Sequence, residues 1–307
     1  MMDLRYAVVG TGALGGFYGG KLAEAGKQVD FLFNSDYEQV KQQGLRVDSV
    51  SGDFLLKPVA AYNSTSSMPK ADVVLVCLKT TNNGLLKSLL QPLLHENSVV
   101  ILIQNGLGIE DELREMMPDI QIAGGLAFIC SNKIGPGHIH HLDLGKLILG
   151  SYNLKDKSVL EKVGEDFKQA GVPCQIAEDL YFARWQKLVW NVPFNGLTVV
   201  LNSTTDRIMN VDSSRKLAHE MMYEVIDAAN ACGVSLKREF ADKMIEMTAK
   251  MTPYAPSMKL DYDFKRPMEI DAIYSQPLQH AAKKGFKMEK VEVLEKQLRF
   301  YNSINGF

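Results

Sequence analysis

Cysteine is scarce and unordered: Cys77, Cys130, Cys174 and Cys232 are scattered through 307 residues with no ligand spacing, which removes a disulfide framework and a thiolate metal site. They read as reduced, mostly buried thiols. No apolar run approaches the ~18 residues of a membrane span. An excess of one charge is also missing. Lys and Arg total 34 against 36 Asp and Glu, a formal net charge of −2, so neither nucleic acid nor a membrane surface is an expected partner. From Met1 the chain runs through Leu4 directly into a strand pattern, with no room for a signal peptide, so a cytoplasmic location is expected. At 46% hydrophobic and 23% charged, the composition is that of a globular protein long enough for two cores.

What is present starts at once. The apolar run Tyr6-Ala7-Val8-Val9 passes into GTGALGG, Gly10 to Gly16, and the following apolar residues through Leu22 recur at helical spacing. Glycines at a strand-to-helix handover make a phosphate-binding turn. Gly10 permits the tight turn, Gly12 lets backbone approach a pyrophosphate, and Gly15 lets helix and strand pack closely. The helix start adds unpaired N–H groups and a positive dipole end. Gly10, Thr11, Gly12, Ala13, Leu14 and Gly15 are therefore the candidate dinucleotide cradle.

The first half keeps a βαβ rhythm: a helix from Gly16 to Ala25, a strand from Gln28 to Phe33, and a helix from Tyr37 ended by Gly44. Val73 to Leu78 and Val99 to Ile103 are continuous apolar runs, as parallel strands covered on both faces require. Ile120 to Ile129, His138 to His140 and Lys146 to Leu149 are expected as further strands separated by glycine-rich turns. Near Glu178 the style changes to long helical patterns: Asp179 to Asn202, Ser213 to Cys232, Lys237 to Met251, Glu269 to Lys284 and Lys290 to Tyr301. The expected architecture is α/β: a Rossmann-type doubly wound sheet over residues 1–177, then an all-α domain over 178–307. Substrate is expected in the cleft between them.

Lys187, Asn191 and Asn195 recur at i, i+4 and i+8, stacking on one face of an otherwise apolar helix that also contains Pro193. Asn is a mediocre helix former, and buried amides need partners. An oxygen-rich ligand would serve, and so would neighbouring helices. Asn105 and Gly106 follow a strand at its carboxyl end, where function concentrates, although Asn-Gly is also simply a good turn. Lys79 ends another strand on that edge and suits a cofactor phosphate or a solvated loop equally. Ser257-Met258 and Glu269 bracket a polar loop, Lys259 to Met268; a carboxylate at Glu269 also suits a helix's first turn. His138 and His140 alternate on a strand, with His141 following and no carboxylate or Cys at ligand spacing, so no metal site is expected.

Together these segments resemble the ketopantoate reductase (2-dehydropantoate 2-reductase) family of the 6-phosphogluconate dehydrogenase-like superfamily. The resemblance covers essentially the whole chain: GTGALGG at Gly10, FNSDYE, VCLKT ending near Lys79, QNGLG around Asn105, GHIHHLDLGKLILG up to Gly150, KLVWNVPFNGLT, and Ser257-Met258 with Asp261 followed by KRPMEID. It implies reduction of ketopantoate to pantoate, a step toward pantothenate and coenzyme A, by a nicotinamide dinucleotide. Lys187 would be the general acid with Glu269 as its partner, and Asn191, Asn195 and Ser257 would contact substrate. Asn105 would sit between substrate and cofactor, and Glu269 would also border the cofactor. The implied cofactor is NADP as NADPH, gripped in the family by an Arg after the second strand. Here Asn34 and Ser35 take that place, and Asp36 keeps NADH open. Ser203-Thr204-Thr205 and Leu126 to Asn132 also depart from the family pattern, leaving another 2-keto acid, or a non-enzymatic dinucleotide sensor, as alternatives. A homodimer would be compatible with exposed apolar positions on the C-terminal helices.

Overall fold

The computed structural model describes residues 3–253 and 255–307. Among these, ten strands build one sheet: β1 (Arg5–Val9), β2 (Gln28–Leu32), β3 (Leu45–Ser49), β4 (Phe54–Leu56), β5 (Ala61–Tyr62), β6 (Val73–Val76), β7 (Val99–Leu102), β8 (Gln121–Gly135), β9 (His138–Ser151) and β10 (Cys174–Ala177). Their order is β4-β3-β9-β8-β7-β6-β1-β2-β5, with β10 beside β9. Pairing is parallel from β5 through β8 and antiparallel between β8 and β9. β6 and β7, Val-Val-Leu-Val and Val-Val-Ile-Leu, are wholly buried, because helices cover both faces of the parallel core. β1 lies between β2 and β6, so the strand order reverses at its carboxyl end, and ligands of open α/β sheets bind at such a point.

The helices of this unit are α1 (Ala13–Glu24), α2 (Tyr37–Gln43), α3 (Leu86–Leu90), α4 (Ile109–Met116) and α5 (Ser158–Gln169). One sequence expectation is corrected here. The segments from Ile120 to Leu149 are two long strands rather than three short ones, because bulges near Phe128/Ile129, Cys130/Ser131 and Lys133/Gly135 let β8 and β9 bend while staying paired. Gly145, expected as a turn, sits inside β9 beside Leu144, whose φ is 64°. α5, which the sequence pattern did not single out, docks through Leu160, Val163 and Phe167. Its fully buried Asp166 accepts from Tyr6 Oη at 2.6 Å and meets Lys27 at 2.7 Å and Lys162 at 2.6 Å.

The second unit comprises Asn105–Gly108 and Tyr181–Phe307; the first comprises the chain through Gln104 together with Ile109–Leu180. The remaining helices are α6 (Leu180–Val200), α7 (Thr205–Asn210), α8 (Asp212–Ala231), α9 (Glu239–Lys250), α10 (Ser257–Asp263), α11 (Gln276–Ala282) and α12 (Glu289–Ile304), with a π-helical turn over Asp271–Ser275. α6 continues through Pro193. Trp185, Leu188, Phe194, Ile226, Tyr274 and Leu294 belong to this unit's core. The segment expected as a polar loop from Lys259 to Met268 begins instead as α10. Tertiary partners stabilise its polar residues: Lys259 Nζ reaches Asn202 Oδ1 at 2.9 Å and pairs with Asp263, while Asp261, 1% exposed, accepts from Arg266 Nε at 3.0 Å. Among the described residues no helix is long and apolar enough to cross a membrane, and no cluster of three or more His, Cys, Asp or Glu could hold a metal.

Candidate active site

Two sets of predicted residues take shape, one in each unit. In the first, Gly10 adopts φ +97°, and a Cβ there would stand 2.6 Å from the backbone nitrogen of Leu78. A Cβ on Gly15 would lie 2.4 Å from the Gly10 carbonyl oxygen and 2.9 Å from Val8 Cγ1. Both glycines are therefore consumed by the turn itself. Gly12 differs: a Cβ there would meet nothing within 4 Å. That open side is where a pyrophosphate would approach. Gly16 N–H already bonds the Gly12 carbonyl at 2.8 Å, leaving Ala13, Leu14 and Gly15 as first-turn N–H groups with no helical carbonyl in reach. Cradle and donors fit a dinucleotide phosphate.

Thr11 contributes differently from its neighbours. Its hydroxyl donates to the Leu32 carbonyl at 2.8 Å and ties the loop to the end of β2. Asn34 and Ser35, just beyond that strand, are exposed. Asp36 is buried at 4% exposure, and its oxygens accept from Ser35 Oγ at 2.9 Å, Lys133 Nζ at 2.6 Å and Gly137 N–H at 2.9 Å. Burial opposes its ionisation, but the bonds from Lys133, Gly137 and Ser35 outweigh it and hold the carboxyl below its ordinary range. Lys79, half-buried, follows Leu78 beside the loop. Sequence reasoning missed Gln104, whose buried amide donates to the Leu78 carbonyl and to Asn83 Oδ1, both at 2.8 Å, bracing this edge. Cys77 is no nucleophile, since burial pushes its thiol up to about 12.

Asn105, Lys187, Asn191, Asn195, Ser257 and Glu269 all belong to the second unit. Asn105 belongs here because its turn is pinned to the π-helical segment: Leu107 N–H donates to the Ala272 carbonyl at 2.9 Å. Gly106, at φ +105°, makes this possible, as a Cβ would collide with Ala272 at 2.5 Å. The Asn-Gly pair is thus more than a convenient turn. Glu269, 7% exposed, directly precedes the helix that begins with the π turn; the sequence pattern had placed Glu269 inside a regular first turn. Tyr274, within the π turn, donates through Oη to the Val192 carbonyl of α6 at 2.8 Å. That bond ties the Glu269 segment to the helix carrying Lys187, and nothing in local sequence signals it. π turns of this kind concentrate at functional sites.

Lys187 is half-buried on α6, with its proton affinity lowered to about 7. Burial is the main cause; the nearby Arg184 guanidinium pushes the same way, and the Glu269 carboxylate pushes back. One turn on, Asn191 is 6% exposed, and among the described residues its side chain has no hydrogen-bond partner. A buried amide in that state suits a ligand. Asn195 Oδ1 instead accepts from Met258 N–H at 3.4 Å, seating the start of α10 and thereby Ser257, its half-buried first residue. The face offers a proton donor near neutrality, a carboxylate beside it, and amide and hydroxyl groups for an oxygen-rich ligand.

Comparison with known proteins agrees in extent and order. Residues 6–153 match the family model Ketopantoate reductase PanE/ApbA, and residues 179–302 match Ketopantoate reductase PanE/ApbA C terminal. A 2-dehydropantoate 2-reductase of Nostoc sp. is 47% identical, covering 99% of this chain and 97% of its own. The crystal structure of 2-dehydropantoate 2-reductase from Geobacter metallireducens is similar with a TM-score of 0.93 at 43% identity, covering 96% of this chain and 99% of that one. A D-mandelate dehydrogenase solved with NADH and anilino(oxo)acetate reaches a TM-score of 0.89 at 19% identity over 99% of this chain and all of that one, a likeness of fold alone.

Proposed function

This chain belongs to the ketopantoate reductase family, and from that premise we propose that it reduces 2-dehydropantoate to pantoate, with Lys187 as general acid. The observation that carries the reading is the state of Lys187, a lysine on an apolar helix face whose proton affinity sits at about 7 beside Glu269. Bound reduced nicotinamide supplies the hydride for the keto carbon. As negative charge grows on the carbonyl oxygen, the Lys187 ammonium stabilises it and delivers its proton, leaving a neutral amine that is reprotonated from solvent. A group matched to neutral pH both gives and regains a proton readily. Glu269 keeps enough of the ammonium form present, and Asn191 and Ser257 orient the keto acid through its oxygens. Asn195 acts by seating Ser257.

The dinucleotide is held by the N–H groups of Ala13, Leu14 and Gly15 over the open side of Gly12, with Thr11 bracing the loop and Lys79 at its border. NADPH is the preferred form in this reading. An acid that reads a free ribose diol must offer its oxygens, whereas those of Asp36 are taken by Lys133, Ser35 and Gly137. Asn34 remains exposed, and its amide can donate to a 2′-phosphate.

The decisive assay follows reduced-nicotinamide absorbance with purified protein and ketopantoate, NADPH and NADH in parallel, beside a small panel of other 2-keto acids. Oxidation that requires ketopantoate and runs faster with NADPH supports the reading. Preference for a keto acid lacking the branched hydroxymethyl group would overturn the substrate, and tight cofactor binding without turnover on any keto acid would overturn the activity.

A further inference from the structure

At the carboxyl end of β2, where dinucleotide-binding sheets that take a 2′-phosphate place an Arg, this chain has Asn34, yet a cation stands there all the same, delivered from the far end of β8. Lys133 Nζ lies 2.6 Å from Asp36 Oδ1 and 2.6 Å from Asp36 Oδ2. Ser35 Oγ donates to that same Oδ1 at 2.9 Å, so ammonium and hydroxyl share one acceptor atom and stand side by side. The cofactor loop reaches the same corner, because Thr11 Oγ1 bonds the carbonyl of Leu32, two residues before Asn34. In sheets of this kind the adenosine ribose lies beyond the second strand.

We propose that Lys133 is the residue that reads the 2′-phosphate of the dinucleotide, replacing in space the arginine that Asn34 replaces in sequence. This rests on the NADPH reading above.

The two members of the ion pair face different surroundings. The Asp36 side chain is 6% exposed and the Lys133 side chain 35% exposed, so what the pair presents to solvent is its positive end. An ammonium carries three N–H donors, and Asp36 occupies two directions at most, which leaves one for an anion. Lys133 does not wander, because its partner is fixed: Asp36 also accepts from Gly137 N–H at 2.9 Å, and the Gly137 carbonyl in turn accepts from Arg46 N–H at 2.9 Å, clamping the β8–β9 turn to β3. The depressed proton affinity of Asp36 means that the clamp is charged throughout the neutral range. An ordinary exposed ion pair would be mobile and worth little. Here a buried carboxylate aims a partly exposed lysine at the spot where the exposed Asn34 amide offers a further donor.

The test uses the whole protein and probes that carry no nicotinamide, so it stands apart from turnover. Affinities for 2′,5′-ADP and 5′-AMP are measured by titration calorimetry on wild type, Lys133→Met and Lys133→Arg. Wild type should bind 2′,5′-ADP at least about tenfold more tightly than 5′-AMP, the scale of one hydrogen bond to a charged group. Lys133→Met should lose most of that ratio, while Lys133→Arg, which keeps the charge, should retain it. The proposal is overturned if the ratio survives in Lys133→Met, if both affinities fall together, as loss of a merely structural clamp would cause, or if wild type does not discriminate. A protein that holds 2′,5′-ADP selectively but leaves ketopantoate untouched would contradict the proposed substrate and not this assignment.

Discussion

The carboxylate of Glu269 opposes the two influences that strip Lys187 of its proton, burial and the charge of Arg184. The balance falls at about 7, far below the ordinary range of a lysine. Reduction needs the ammonium form, which exists below that value and disappears above it. kcat/KM for ketopantoate should therefore fall as pH rises through about 7, because this quantity reports the free protein. Removing the carboxylate with Glu269→Gln withdraws the one influence that favours the charged form, so the falling limb should move to lower pH. A limb that stays in place, or moves upward, would break the assignment of the pair.

Lys187→Ala should bind dinucleotide as wild type does while kcat drops ~10²-fold or more, the scale of a lost general acid. Single-turnover measurement at saturating cofactor isolates that step. Unchanged turnover would remove Lys187 from the chemistry.

Two glycines of one loop should respond in opposite ways. Gly12 has φ −92° and open space around its Cβ position, so Gly12→Ala should fold with a melting temperature equal to or slightly above wild type and lose dinucleotide affinity. Gly15→Ala places a methyl group 2.4 Å from the Gly10 carbonyl and should destabilise the fold itself. Thermal melts beside NADPH fluorescence titrations distinguish the cases; normal binding by Gly12→Ala would refute the proposed phosphate approach.

Asn191→Ala tests the unpartnered buried amide. Truncation removes an amide that bonds no other described residue, so stability should change little. KM for the keto acid should increase about tenfold, with KM for the dinucleotide little changed. A loss of stability with KM intact would make Asn191 a packing residue.

Asp166 predicts acid behaviour. Burial opposes its charge, yet Lys162, Lys27 and Tyr6 overcome that and hold its carboxyl below the ordinary value of 3.8. The stability it contributes is present above that value and is lost as pH falls through the still lower one of the folded state. Tyr6→Phe should cost about 1–2 kcal/mol at neutral pH, seen by urea unfolding, with the gap from wild type closing in acid. A gap that widens in acid would contradict the sign.

Periodicity and glycine placement reveal much of this protein, because those signals are local. The cradle from Gly10 to Gly15, the helix from Tyr37 to Gly44 and the stacking of Lys187 with Asn191 follow from spacing along one strand or helix. Other features depend on partners far away in the chain. The bulged β8–β9 pair, α10 in a segment that reads as polar loop, and Asn195 seating Met258 arise from contacts no short window contains. Asp36 is an acid after a strand in sequence; only Lys133, 97 residues on, turns it into the buried half of a clamp. The residue types capable of the chemistry were determined by sequence alone. How readily Lys187 holds its proton was decided by the tertiary structure, since desolvation and the field of neighbouring charges exist only once the helices are packed.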